Sequence, residues 1–247
     1  MKGTHTSMQY LWNLVLARPA WVDKLIFNFE RCFLREERWK LLLKGLGVTI
    51  KVSVVALLMG LVIGFLIALC SLSKSKILRG VGKVYTDVIR GTPSVTQLMI
   101  IYFVVFAPFP NVEKWLIASI AFAINSGAYV AEIIRGGILS VDKGQTEAGA
   151  SLGLKGSQTM MYIIVPQAVK NIFPALGNEF ITLIKETAIV GYVGLMDIQK
   201  AGDFIKSATF EAFTPLIATA IIYFVIIKAL TLVLDAFEKK LRKADKR

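Results

Sequence analysis

The chain has 247 residues, of which 55% are hydrophobic, and its mean hydropathy is +0.61. This composition excludes an ordinary soluble domain and predicts a protein solvated by lipid. The formal net charge is +12, but the basic residues flank apolar runs, as in loops that face an anionic inner leaflet, which argues against a nucleic-acid-binding protein. The single histidine, His5, supports no metal site.

The first 45 residues mix aromatic and charged side chains and contain no uncharged run of the roughly 20 residues that a membrane-spanning helix needs. Apolar residues at Ile26, Phe29, Phe33 and Leu41 recur at roughly helical spacing. We therefore predict an N-terminal extension, residues 1–45, with a helix over residues 25–44 that lies in the membrane interface. A solvated linker is the alternative.

Residues 52–73 carry no charge and predict the first transmembrane helix. Lys51 can extend its side chain to the membrane surface at the outer end of this helix. Gly60 and Gly64 form a GxxxG pattern, which favours close packing of a second helix.

The following loop is basic, which predicts that it lies in the cytoplasm. Its five basic residues are Lys74, Lys76, Arg79, Lys83 and Arg90. A second span is predicted over residues 84–106, and Arg90, Gly91, Thr92 and Pro93 (the RGTP turn) introduce flexibility near its start. Residues 107–114 then form an external turn.

A third span is predicted from residue 115 to about residue 134, with Trp115 at the outer interface. Asn125 and Tyr129 are polar residues within it, four positions apart. Glu132 and Arg135 are three positions apart and can pair on one helix face.

The fourth predicted span, residues 168–189, is the least apolar. Its polar seam consists of Asn178, Glu179, Thr182, Lys185 and Glu186. Charged groups at this depth are costly, so they must face protein or water. The residues leave two alternatives open, a substrate pathway and a salt-bridge network between subunits.

Residues 191–211 carry nearly balanced charges and predict an external loop on which a partner protein can dock. A fifth span follows over residues 212–234. The basic tail, residues 236–247, is predicted to be cytoplasmic. The N-terminus then lies outside, and Cys32 and Cys70 lie on opposite sides of the membrane, which argues against a disulfide.

A polar, helix-forming stretch with several small residues connects the third and fourth spans. It reads EAGASLGLKGSQTMMYIIVP over residues 147–166, within a coupling loop that we place at residues 140–166. This spacing resembles the EAA loop of the membrane subunits of ABC importers, with Gly149 and Val165 as mild departures. The RGTP turn and residues 128–154 are similar to the polar amino-acid branch of these permeases, and the resemblance covers residues 46–235.

The resemblance implies an all-α integral membrane protein of about five transmembrane helices, with the N-terminus outside and the C-terminus in the cytoplasm, like the type I ABC importer permeases. It implies that Glu147, Ala148, Gly149 and Gly153 couple the permease to a cytoplasmic ATPase. It also implies an external amino-acid-binding protein, a second permease copy or paralogue, and a place in the bacterial inner membrane.

The sequence contains no G-x-x-x-x-G-K-[ST] phosphate loop, so we expect no ATPase site or cofactor in this chain, and ATP with magnesium in the partner subunit. The predicted pathway residues are Asn125, Tyr129 and the polar seam, and the RGTP turn is predicted to form or gate the pathway. An ion-gradient-driven transporter or channel that uses Glu179, Lys185 and Glu186 is the alternative. A membrane enzyme is disfavoured because no catalytic constellation is present.

Overall fold

A computed structural model describes residues 19–244, with side chains up to residue 240; His5 and the end of the basic tail lie outside these residues. Within this part of the chain the secondary structure is entirely helical, which confirms the predicted all-α class. The helices are α1 (Ala20–Phe29), α2 (Trp39–Leu72), α3 (Lys76–Arg90), α4 (Ser94–Ile100), α5 (Lys114–Leu139), α6 (Lys143–Ser151), α7 (Gly156–Thr159), α8 (Val165–Glu186), α9 (Ile198–Thr209) and α10 (Phe213–Ala244). π-helical turns over Glu30–Leu34, Ile101–Val105 and Met160–Ile164 extend α1, α4 and α7, and 3₁₀ helices cover Arg35–Glu37 and Thr187–Val193.

Three of the described helices are long and apolar enough to cross a membrane: α2, α5 and α10. Helices α3 and α4 make a fourth span only if the two are counted together, and they meet at a bend of 103°. Helix α8, with the polar seam, does not pass this test of composition. The count of five spans and the orientation of the termini stay predictions.

Helices α2 and α5 form the most extensive helix pair in the fold. The predicted GxxxG face of α2 is the contact surface: Gly60 lies against Ser126, and Gly64 lies against Val130. A Cβ at Gly64 would approach the Cβ of Val130 to 2.5 Å, so only glycine permits this separation of the two backbones. The predicted packing face is confirmed.

The prediction of a single helix over residues 25–44 is wrong, while its place in the membrane interface stays a prediction. The chain breaks at Glu36 and Glu37, whose φ angles are +56° and +52°, and α2 begins at Trp39. Residues 39–44 therefore belong to the same helix as the first span, and this helix crosses the domain boundary predicted at residue 45. Glutamate gives little signal for a left-handed backbone, so the break was not visible in the sequence.

The segment before α2 packs into the body of the protein. Cys32 and Phe33 are buried in one cluster with Leu42 and with Ile198 and Ile205 of α9. Cys32 and Cys70 are both free thiols. The N-terminal extension is thus packed into the helical body from Cys32 onward.

The external loop predicted over residues 191–211 is instead mostly helix α9, which packs on α2 and α10. Asp197 begins this helix; its carboxylate accepts hydrogen bonds from the backbone N–H of Lys200 (2.9 Å) and Gln199 (3.1 Å) and from the hydroxyl of Tyr223 (3.2 Å). Burial raises the pKa of Asp197, and the backbone hydrogen bonds oppose that rise. Asp197 is fully buried and therefore does not present its charge to a docking partner, contrary to expectation.

The second span also differs from the expectation of one helix over residues 84–106. Helix α3 begins at Lys76 and ends at Arg90, and the 103° bend follows within the RGTP turn. The backbone N–H of Gly91 closes α3 on the carbonyl of Asp87 (2.9 Å), and Pro93 precedes α4 with an extended ψ of 133°. Proline cannot continue the first helix, because it lacks the N–H and disfavours a helical residue before it.

Lys51 of α2 and Trp115 at the start of α5 lie at one level. The ammonium of Lys51 lies 3.4 Å from the centroid of the Trp115 ring. Both side chains were predicted at the outer membrane surface, and their contact is typical of a cation on an aromatic interface residue.

Candidate functional site

The coupling loop folds into two short helices, α6 and α7, between α5 and α8. Asp142 begins α6 by accepting a hydrogen bond from the backbone N–H of Gly144 (2.7 Å). Gln158 performs the corresponding role for α7, where its side-chain oxygen accepts from the N–H of Lys155 (2.8 Å). Both helix starts are therefore fixed by local hydrogen bonds.

Gly153 ends the first of these helices in a left-handed conformation, with φ of +77°. The N–H of Gly153 donates to the carbonyl of Ala150 (3.0 Å), and the N–H of Leu154 donates to the carbonyl of Gly149 (3.0 Å). This is the usual way in which glycine terminates a helix. The position requires glycine for its backbone as well as for the small bulk that the sequence suggested.

The predicted coupling residues do not all face solvent. Glu147, Ala148 and Gly153 are exposed, and Leu152 beside them has 78% of its surface exposed. Gly149 differs, because it is buried and a Cβ there would meet the side chain of Thr159 at 2.7 Å. Its small size serves packing between α6 and α7 rather than the approach of another protein.

Amide side chains connect the coupling loop to the start of α8. Gln167 donates to the side-chain oxygen of Gln145 (3.3 Å), and Asn171 donates to the hydroxyl of Ser140 (2.9 Å). These pairs join residues of the loop to the helix that carries the polar seam. Sequence analysis missed them, since nothing in the pattern pairs residues so far apart.

The RGTP turn is held by a hydrogen-bond network around Gln97. The side-chain nitrogen of Gln97 lies 2.7 Å from the carbonyl of Ile89 and 2.7 Å from the hydroxyl of Thr92. The Thr92 hydroxyl in turn donates to the carbonyl of Val88 (2.9 Å). Gln97 was missed, although it is the single amide in the apolar segment 94–106.

Asn125 on α5 completes this network. Its side-chain nitrogen donates to the amide oxygen of Gln97 (2.9 Å), and both residues are buried. Asn125 was predicted to face the polar seam from the other side of the pathway. In this chain it contacts the RGTP turn region instead. A buried amide pair of this kind is favourable only while both partners stay paired.

Arg90 reaches from the RGTP turn to the inner part of α5. Its guanidinium lies 5.3 Å from the centroid of the Tyr129 ring, and one nitrogen lies 3.9 Å from the carboxylate of Glu132. Glu132 makes a bidentate contact with Arg135, at 2.7 Å and 3.0 Å, which confirms the predicted pair. Tyr129 therefore faces Arg90, and it is not brought together with the polar seam in this chain.

Glu179 is the buried member of the polar seam. It accepts a hydrogen bond from the hydroxyl of Ser126 on α5 (2.7 Å) and is 9% exposed. Asn178 and Lys185 lie on the neighbouring stripe of α8 and are exposed in the single chain, while Thr182 returns its hydroxyl to the carbonyl of Asn178 (3.1 Å). Glu186 is half-buried. The seam consequently presents one face to α5 and another outward.

The described residues contain no group of three or more His, Cys, Asp or Glu side chains that could hold a metal ion. The site consists of a surface loop, a hydrogen-bonded turn and a polar helix stripe.

Comparison with known proteins identifies the class. Residues 60–243 match the family model of the binding-protein-dependent transport system inner membrane component. The arginine transport system permease protein ArtQ of Bacillus subtilis is 42% identical over 83% of this chain and 94% of its own length. The glutamine transport system permease protein GlnP of Escherichia coli K12 is 37% identical over 82% and 93%.

A solved structure agrees with these matches. The crystal structure of an amino acid ABC transporter with histidines has a chain that is 44% identical to this one, with a TM-score of 0.79 over 84% of this chain and 98% of that chain. The comparisons give no support to an ion-gradient-driven transporter. The chain belongs to the family of inner membrane components of binding-protein-dependent transport systems, and it is a permease subunit of an ABC transporter.

Proposed function

We propose that this permease imports an amino acid across the bacterial inner membrane, driven by ATP that a separate subunit hydrolyses. The observation that carries the proposal is the similarity, over more than four fifths of the chain, to permeases for arginine and glutamine and to a solved amino acid ABC transporter. A polar or charged amino acid is the substrate class that these relatives support.

The family supports the proposed partners. The chain has no phosphate-loop sequence, which supports placing ATP and magnesium in ATPase subunits on the cytoplasmic side. An external amino-acid-binding protein delivers the substrate, and a second permease, identical or paralogous, completes the pathway. The exposed face of the polar seam, with Asn178 and Lys185, is available to such a second copy or to the substrate.

Coupling is assigned to the exposed part of the loop. Glu147 supplies a negative charge, Ala148 and Gly153 allow close approach, and exposed Leu152 supplies an apolar anchor. The Gln145–Gln167 and Ser140–Asn171 hydrogen bonds support a transfer of movement from the loop to α8.

The substrate contact is assigned to the seam. An amino acid that enters a low-dielectric pathway needs a partner for each of its charges. Glu179 or Glu186 would receive the ammonium group, and Lys185 with Asn178 would donate to the carboxylate. Asn125 and Tyr129 contribute to the substrate pathway indirectly, through the RGTP turn region. Asn125 contacts Gln97, and Tyr129 contacts Arg90.

Reconstitution tests the function directly. The permease is incorporated in proteoliposomes with its ATPase and binding protein, and uptake of radiolabelled arginine and glutamine is measured. We expect uptake that requires both ATP and the binding protein. Uptake driven by a proton or sodium gradient without ATP would contradict the proposal.

The same assay separates the two roles of the seam. Glu179→Gln removes the charge but keeps the shape and a hydrogen bond to Ser126. If Glu179 contacts substrate, the dimer persists and the apparent affinity for substrate falls; if it holds subunits together, assembly weakens. Ser126→Ala, which removes only the hydrogen bond from α5, is the matched control. Unaltered affinity in an assembled Glu179→Gln transporter would rule out the binding role.

A further inference from the structure

An open basic cavity, the inner basic cavity, lies between the inner ends of α2 and α5 and helix α3. Its volume is about 470 Å³. Its basic lining residues are Lys76, Arg79, Lys83, Arg90 and Arg135, against two acidic residues, Asp87 and Glu132. The cavity is not used by the coupling loop or by the polar seam.

Most of the positive charge in the cavity is uncompensated. Glu132 is already occupied by Arg135 at 2.7 Å and lies 3.9 Å from Arg90. Within the part of the chain that the structure describes, Lys76, Arg79 and Lys83 take part in no ion pair. Three cationic groups therefore remain available to an anion from outside the chain.

The depth of the cavity can be calculated from the contact between Lys51 and Trp115, which we take as the outer membrane surface. At a rise of 1.5 Å per residue, Ser71 of α2 lies about 30 Å below Lys51, and Glu132 of α5 lies about 25 Å below Trp115. The hydrocarbon core of a bilayer is about 30 Å thick. Since both residues line the cavity, it lies at the inner membrane boundary.

Helix α3 begins at this boundary and is inclined into the membrane. Gly82 lies against Ser71, whereas the hydroxyl of Tyr85 donates to the carbonyl of Ile124, which lies only about 14 Å below Trp115 on the same rise per residue. Its exposed apolar residues share one face: Ile77, Leu78, Val81, Val84 and Val88. Its basic residues occupy another face, beside the cavity. A helix with these two faces can meet a charged headgroup and acyl chains at the same time.

We propose that the inner basic cavity binds the phosphate of an anionic phospholipid, whose acyl chains lie along the exposed apolar face of α3. The unpaired cations match the charge of the headgroup, and arginine suits phosphate through its planar set of donors. A phospholipid also supplies acyl chains that can cover the exposed apolar face of α3. A soluble anion has no such part. The site goes beyond transport, because it fixes α3, and with it the RGTP turn, to the leaflet.

Lipid retention by the purified, full-length permease tests this site. The protein in detergent is titrated with phosphatidylglycerol or with phosphatidylcholine of the same acyl chains, and bound lipid is counted by native mass spectrometry. The double variant Arg79→Gln/Lys83→Gln removes two unpaired cations. We expect its affinity for phosphatidylglycerol to fall about 25-fold, because each basic residue at an anionic surface strengthens binding about fivefold.

The matched control is Lys239→Gln/Lys240→Gln, which removes the same charge from the end of α10. It should retain phosphatidylglycerol as the unaltered protein does, and phosphatidylcholine should be retained poorly by every form. Equal losses in the two double variants, or full retention in the cavity variant, would overturn the site. Displacement of the lipid by an equal concentration of inorganic phosphate would show a soluble-anion site instead and would also overturn the proposal. Thermal unfolding checks that each variant is folded.

Discussion

At Gly153 the backbone has a φ of +77°, a conformation that costs an ordinary residue about 1–2 kcal/mol. A Cβ there would meet nothing within 4 Å in this chain, so any steric requirement comes from a partner. A tryptophan at this position would disturb both the backbone and the partner surface. Asparagine separates these two effects, because it tolerates a left-handed backbone and still adds a side chain to the partner surface.

We predict that Gly153→Asn keeps the loop folded but lowers ATP-driven uptake, whereas Gly153→Val impairs both. Hydrogen exchange over residues 147–159 reports the loop, and proteoliposome uptake reports coupling. Gly156→Asn is the control, since Gly156 has no positive φ and also has open space around it. Normal uptake by Gly153→Asn would mean that the position needs glycine only for its backbone.

The RGTP turn sets the 103° angle between α3 and α4. Thr92→Val keeps the shape of the side chain and removes one donor and one acceptor, each of which contributes about 0.5–1.5 kcal/mol. We predict that transport slows several-fold in this variant and in Pro93→Ala, while the protein still inserts and assembles. Initial uptake rates at saturating substrate measure this effect.

Thr96→Val is the matched control for the turn, because Thr96 is exposed one helical turn further on. It should transport at the normal rate. Gln97→Leu should give a larger loss than Thr92→Val, since it also leaves the amide of Asn125 without its partner. If Thr92→Val and Pro93→Ala transport normally, the turn is a passive bend.

Local sequence patterns predicted local elements well and contacts between distant elements poorly. The uncharged run after Lys51 located the first span, and Gly60 with Gly64 identified its packing face. Asp197 followed by Ile198, Ala201 and Ile205 carries a helix start and helical spacing, but their balanced charged neighbours favoured the interpretation as a loop. Pairs such as Gln97 with Asn125 and Ser126 with Glu179 depend on how helices are arranged, which no short-range pattern specifies.

The N-terminal extension is part of the packed core of the permease. Phe33 is 4% exposed and packs in one cluster with α9. We predict that Phe33→Ala destabilises the protein by about 3–5 kcal/mol, as is usual for removal of a buried aromatic ring. Thermal unfolding in detergent measures the loss.

Phe27→Ala is the control, because Phe27 is 50% exposed on α1. It should change the unfolding temperature little. Equal stability of the Phe33→Ala and unaltered proteins would mean that the extension rests on the permease without supporting it. The comparison also tests the boundary at residue 45, which the helix α2 crosses.

The burial of Cys32 has a consequence for biosynthesis. Its thiol lies 3.7 Å from the hydroxyl of Thr209, and the two residues are 177 positions apart in the chain. At ribosomal speeds of about 5–20 residues per second, roughly 10–35 s pass between the synthesis of these two partners. During that interval Cys32 and Phe33 still lack the surface of α9 that covers them. Until α9 has been synthesised, the apolar residues of the N-terminal segment must therefore be covered by lipid or by the insertion machinery.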